Sequence, residues 1–276
     1  MSERIRSILV AVDSSAGGLA ALQQAAELAR RIDAELSGLF IEDEDLVRLA
    51  GLPFARELPA GGGEWRPLST EVMERDLARL ARDLERELEV LAGRLEIPWR
   101  FRRRRGRVAT ELLAACSECE LVAVGTAGMR GGPSRLGSTA RRLLAEATSS
   151  VMLIAPGAVL RAASFAVVFD AGQAAEGALA RALELTPPDR SLDVLIAVDD
   201  RAAADTLKAR ARELAGTRAL RFRTLREKSG SALLDSLADL APLMLVLGET
   251  DWIEPPMLER IVARLDGGLL RVRTRD

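Results

Sequence analysis

Val124-Gly125-Thr126-Ala127-Gly128-Met129-Arg130-Gly131-Gly132-Pro133-Ser134-Arg135-Leu136-Gly137-Ser138-Thr139 decides how the rest of the chain is read. It follows residues 121–124, a short apolar run that reads as a buried parallel strand. It precedes residues 140–147, which read as a helix. Five glycines lie between the two. Glycine lets a backbone turn at positive φ and approach a ligand closely. A helix N-terminus offers unpaired N–H groups and the positive end of its dipole, which suits phosphate. Ser138 and Thr139 add hydroxyl donors. Strand, glycine-rich loop and helix together propose a phosphate cradle, and the plain alternative is an ordinary strand-to-helix turn.

Composition sets the bounds. The chain has 276 residues, of which 48% are hydrophobic, enough for one large domain or two of ordinary size. A net charge of −2 gives no general attraction to nucleic acid or membrane. No signal peptide and no run of membrane-spanning length is visible, so a cytoplasmic location is expected. There is no His, which excludes His-based triads and His-ligated metal sites, and Lys occurs only at 208 and 228. A P-loop with its phosphate lysine is therefore impossible in the first half.

Residues 7–12 read as a strand ending at Asp13, 20–32 as a helix and 35–41 as a second strand, a unit of the doubly wound type. Residues 42–68 carry three prolines and Gly61-Gly62-Gly63, and are long for a connection. They read as an exposed insertion, a lid or a partner surface, with Trp65 either covering a ligand or anchoring the loop. Leucines at 77, 80, 84, 88, 91 and 95 mark an amphipathic helix over 69–95. Residues 98–107 contain six arginines. They read either as an anion patch or, preferably, as a charged edge strand that blocks aggregation. Cys116-Ser117-Glu118-Cys119 falls at a helix C-terminus beside acidic residues, which favours a structural over a redox role.

The second half repeats the first. Residues 165–170 mirror the opening strand and place Asp170 where Asp13 stood, and Gly248 stands for Gly125. Two domains are expected, residues 1–157 and 163–276. In the second, Glu249, Asp251 and Glu254 follow Gly248 in place of the glycine-rich loop, and Trp252 is expected to fill the crevice.

The glycine pattern resembles that of the universal stress proteins: Gly, two residues, Gly, nine residues, then Gly with Ser or Thr. Gly125, Gly128 and Gly137-Ser138 match in order, with eight residues in the second gap. Ile8-Leu9-Val10-Ala11-Val12-Asp13 and residues 151–154 are also similar to the family. The resemblance implies tandem Rossmann-like α/β domains, each a five-stranded parallel sheet of order 3-2-1-4-5 flanked by helices. The ligand crevice then lies between strands one and four, at the reversal of strand order. Asp13 would accept from ribose or hold Mg²⁺ through water, its alternative role being to cap the following helix. Ile41 would wall the adenine. Gly125, Gly128, Gly137, Ser138 and Thr139 would hold phosphate and ribose, with Arg130 or Arg135 neutralising charge. The reading is an ATP- or AMP-binding stress-response protein, a binding module rather than an enzyme, in which only the first domain binds nucleotide. It has a protein partner of unknown identity, and the two fifth strands meet to form an intramolecular pseudo-dimer that could associate further as a homodimer. Two alternatives stand beside it: a protein-binding regulator with an empty pocket, and a slow ATP-cleaving enzyme of the alpha-hydrolase group.

Overall fold

Ser15 sets where the first helix begins. Its hydroxyl accepts from the Gly18 N–H at 3.0 Å, so the helix starts at Ala16 and takes Gly17 and Gly18 into its first turn, where the sequence suggests a loop to residue 20. Packing explains the glycines. A Cβ on Gly18 would lie 2.1 Å from an Asp13 carboxylate oxygen, and one on Gly125 would lie 2.7 Å from the Gly17 carbonyl carbon and oxygen.

The computed structural model describes residues 4–58, 62–126, 136–159, 164–200, 202–240 and 244–273. Its first half runs β1 (Ser7–Ala11), α1 (Ala16–Ile32), β2 (Glu35–Asp43), α2 (Glu44–Ala50), β3 (Arg56–Glu57), β4 (Arg66–Pro67), α3 (Thr70–Leu95), β5 (Trp99–Gly106), α4 (Val108–Cys116), β6 (Leu121–Gly125), α5 (Ser138–Glu146) and β7 (Ser150–Ile154). The second half runs β8 (Phe165–Phe169), α6 (Gln173–Leu185), β9 (Leu192–Ile196), α7 (Ala203–Ala215), β10 (Leu220–Thr224), α8 (Gly230–Leu240), β11 (Met244–Leu247), α9 (Pro255–Val262) and β12 (Gly268–Arg271).

The insertion is more ordered than its composition suggests. Asp43 ends β2 and caps α2, its carboxylate accepting from the Asp45 N–H at 3.0 Å. β3 and β4 form a two-residue antiparallel ladder beyond it. Trp65 is 60% exposed and does not anchor the segment.

Ten strands form one sheet in the order β10-β9-β8-β11-β12-β7-β6-β1-β2-β5. Each half contributes its main strands as third, second, first, fourth and fifth, all parallel. The fifth strands β7 and β12 join the halves antiparallel, with Met152 opposite Leu270 and Leu153 opposite Leu269. Val124 pairs with Leu153 in the first half, and Leu247 pairs with Arg271 in the second. Aligned by Gly125 and Gly248, the repeat makes Leu153 equivalent to Arg271 and Met152 equivalent to Leu270. A pseudo-two-fold axis therefore passes between Met152 and Leu270.

Alternate strand residues feed two cores. Ile8, Val10, Leu36 and Ala123 face α1 and α3, and the same core continues under α6 and α7. Leu9, Leu39, Val122 and Val124 face α4 and α5, and that core continues under α8 and α9. Both sheet faces are covered, which is why the central strands read as unbroken apolar runs.

Gly268 opens β12 at φ +140°, and a Cβ there would lie 1.8 Å from the Leu153 carbonyl oxygen. Gly268→Ala is expected to destabilise the protein by roughly 2–3 kcal/mol through strain and displacement of β7. Urea unfolding measures this, and an unchanged midpoint would contradict the junction's geometry.

Candidate functional site

β1 and β6 lie side by side, with Leu9 paired to Val122, and the chain leaves them in opposite directions across the sheet. In open parallel sheets such a reversal, at the carboxyl ends of the strands, is where ligands bind. Asp13 follows β1 and is exposed. One of its carboxylate oxygens accepts from the Ser15 N–H and hydroxyl. Ser15, not Asp13, is therefore the helix cap, and Asp13 braces it. The other carboxylate oxygen of Asp13 has no partner among the described residues.

Gly125 ends β6. Its closest neighbour is the Gly17 backbone, so the missing side chain lets the sheet meet the start of α1, a packing demand separate from any ligand contact. Thr126 donates from its N–H to the Ile154 carbonyl at 2.9 Å and accepts from the Gly137 N–H at 3.1 Å. This second bond closes the neck of the glycine-rich loop and fixes where α5 starts. Gly128, Arg130 and Arg135 lie outside the described residues. Gly137 caps α5 with an ordinary backbone, φ −61°. Ser138 and Thr139 form its first turn, Ser138 exposed and Thr139 half-buried. The first N–H groups of any helix lack intrahelical acceptors, so this turn brings spare donors to the carboxyl end of β6, where Gly137 bonds Thr126.

Ile41 is two residues past Leu39, which pairs with Ala11, so it stands level with Asp13 on the neighbouring strand. It is 9% exposed and packs in the core cluster that contains Val124 and Leu136. Asp13, Ile41, Gly125 and the start of α5 thus gather at one end of the sheet. Ser15, Gly17 and Gly18 belong to the same corner. Their sequence signal, two serines before a glycine pair, reads more readily as a loop than as a helix start.

The corresponding corner of the second half is filled. One Asp170 carboxylate oxygen accepts from the Gly172 N–H at 2.9 Å. The other accepts from the Trp252 indole N–H at 3.0 Å and lies 3.4 Å from the Lys228 ammonium. Gly248 abuts the Ala174 carbonyl, repeating the contact of Gly125 with Gly17. The space left among Val168, Asp170, Gly248 and Thr250 is about 10 Å³, room for one water at most. Of the three carboxylates expected to repel phosphate there, Glu249 is engaged by Arg273.

The arginine run forms β5, the outer strand beside β2. Its positive charge is spent locally. Arg100 pairs with Glu35, Arg102 and Arg104 with Glu118, Arg103 with Glu42, Arg105 with Glu74, and Arg107 approaches Glu44 and Asp45. Hydrogen bonds from Arg102 and Arg104 hold the Glu118 carboxyl below its usual range. The run thus lies at the sheet edge with its arginines beside carboxylates. Cys116 and Cys119 are buried and unbridged, and burial pushes the Cys116 thiol up. Among the described residues no group of three His, Cys, Asp or Glu could hold a metal ion, and no helix is long and apolar enough to cross a membrane.

The sequence profile of the Universal stress protein family matches residues 4–155, more than half of the chain. The chain belongs to the universal stress protein family. Its fold is similar to that of a universal stress protein from Archaeoglobus fulgidus, at 15% identity and TM-score 0.72, with 98% of this chain and 97% of that one covered. A universal stress protein structure from Pseudomonas aeruginosa is similar at 15% identity and TM-score 0.59, with coverage of 98% and 93%. A universal stress protein in complex with cAMP aligns at 17% identity and TM-score 0.41, over 56% of this chain and all of its own. No curated protein matches the chain.

A raised, buried thiol reacts slowly because only the thiolate attacks. Native protein at pH 8 is expected to resist iodoacetamide at Cys116 and Cys119, with both labelled in denaturant. Mass spectrometry checks this, and rapid native labelling would restore the redox reading of the motif.

Proposed function

We propose that this universal stress protein binds an adenine nucleotide, ATP or AMP, in the crevice between β1 and β6. One observation carries the reading. The hydrogen-bonded neck from Thr126 to Gly137 sets the first turn of α5 at the same sheet end as Asp13, whose second carboxylate oxygen has no partner among the described residues. The N–H groups and hydroxyls of Ser138 and Thr139 suit phosphate, with Gly128 and Arg130 in the intervening loop as further contacts. Asp13 suits ribose hydroxyls, and Ile41 suits the apolar face of adenine. A single carboxylate also suits Mg²⁺, which keeps most of its waters and takes its other ligands from phosphate.

The reading is of a binding module with a role in stress response or signalling. The chain has no His, and a lone carboxylate is a weak general base at neutral pH. We assign the nucleotide to a domain of residues 1–157. A second domain, residues 163–276, keeps the scaffold while Asp170, Trp252 and Lys228 occupy its crevice. Both fifth-strand edges are consumed within the chain, so a homodimer would use other surfaces.

A second reading, a regulator that docks on a protein partner, is favoured by the insertion. Leu49, Leu52, Phe54, Leu58 and Trp65 are 40–77% exposed within this one segment.

Calorimetric titration with ATP and AMP is expected to give one site per chain. Asp13→Ala should weaken binding by about 1–3 kcal/mol, the range for losing a charged hydrogen-bond partner. Gly137→Val should abolish binding with the fold retained, since a branched side chain would project into the cradle. A stoichiometry of two, lowered to one by Asp170→Ala, would overturn the assignment of the second domain. Silence with every adenine nucleotide would leave the protein-docking reading.

A further inference from the structure

The helix that opens the candidate cradle is fastened at its other end by the second half of the chain. Arg271, the last residue of β12, donates to the Leu144 carbonyl at 2.7 Å. Arg273 donates to the Leu144 carbonyl at 3.3 Å and to the Ala145 carbonyl at 3.1 Å. The same Arg273 guanidinium engages Glu249, and its backbone N–H donates to the Ser150 hydroxyl at 3.2 Å. Leu144 and Ala145 belong to the last turn of α5, where carbonyls have no intrahelical donors and the dipole is negative. Two guanidinium groups satisfy both needs. They are partly desolvated there, and α5 has no basic residue of its own in its last turn. A further tie joins α5 to α9 through Arg141 and Glu259, 2.9 Å apart.

The arrangement is one-sided. The repeat places Leu153 and Ala155 of the first half where Arg271 and Arg273 stand in the second. Neither can donate from a side chain, so α9 receives no matching clamp. The helix that is clamped is the one that starts with Gly137, Ser138 and Thr139. The helix that is not clamped starts with Glu254 and Pro255 beside a filled crevice.

We propose that Arg271 and Arg273 are positioning residues for the candidate phosphate site. By capping the C-terminal carbonyls of α5 they hold its N-terminal turn against the neck at Thr126. The second half thereby completes the first half's site rather than only covering its sheet edge. Arg273 also links the site to Glu249, at the mouth of the second crevice. The inference rests on the nucleotide reading for its ligand, but its mechanical core, the clamping of α5, is measurable without one.

The test uses the full chain carrying Arg271→Met and Arg273→Met together, with Arg221→Met as control. Arg221 forms an ion pair with Asp193 in the distant strands β10 and β9. Amide hydrogen exchange of residues 141–144 is read alongside ATP affinity. The double variant should exchange at least tenfold faster over 141–144, with α1 and α3 unchanged, and bind ATP about tenfold more weakly. Arg221→Met should move neither quantity. Arg273→Lys with Arg271 intact should fall between, because an ammonium restores charge without the fork. Unchanged exchange in α5, or faster exchange spread evenly over the whole chain, would overturn the clamp. Faster α5 exchange with ATP affinity intact would overturn its link to the site. A wild-type protein that binds no adenine nucleotide would remove the proposed function, and the exchange measurement would still decide the clamp.

Discussion

A parallel five-stranded sheet ends in an apolar fifth strand that must be covered, and the chain meets this demand twice with one contact. β7 and β12 pair antiparallel, and every residue of both strands except Arg271 is buried. Unpaired N–H and C=O groups on such strands would template association with other chains. Joining them within one chain removes both edges together. Antiparallel pairing imposes two-fold symmetry on the halves, and Met152 and Leu270 lie at its centre. It also brings α5 near the end of β12, where Arg271 and Arg273 find its terminal carbonyls.

The outer edges are managed by charge. β5 carries its arginines at the rim, each within reach of a carboxylate from β2, α2, α3, α4 or the turn after α4. Exposed pairs of this kind contribute little individually. Their consequence is that a strongly basic sequence presents no strongly basic surface. On the far edge, the ion pair of Arg221 with Asp193 repeats the device.

The two crevices show how one scaffold supports opposite outcomes. Both place an aspartate after the first strand and a glycine that abuts the following helix. In the second half an indole, an ammonium and a backbone N–H use up the Asp170 carboxylate. In the first half Asp13 is engaged, among the described residues, through one oxygen by Ser15. The difference lies in the loop after the fourth strand. Trp252 enters the corner in one half, and in the other a hydrogen bond from Gly137 to Thr126 ties the loop at its neck.

Much of this was written in local pattern. Apolar runs bounded by glycine and aspartate marked the strands, and leucines at three- and four-residue spacing marked α3, because burial on two faces or one stripe imposes those periods. The repeat of strand, aspartate and helix announced two related halves. Gly17 and Gly18 were misleading: they read as loop and sit in a helix, because what they serve is contact with Gly125 and Asp13, far apart and near in sequence respectively. The insertion likewise read as an exposed insertion, a lid or a partner surface without its helix, since α2 depends on its Asp43 cap and on packing against α3. By itself, then, the sequence determined the main strands and helices of each repeat, their order and the residues available to the crevice. Only the tertiary structure decided that Trp252 reaches Asp170, that glutamates neutralise the arginines of β5 and that Arg271 and Arg273 grip α5. Periodicity is a property of neighbours along the chain. Hydrogen bonds and ion pairs between residues up to 179 positions apart depend on which surfaces the folded sheet brings into contact.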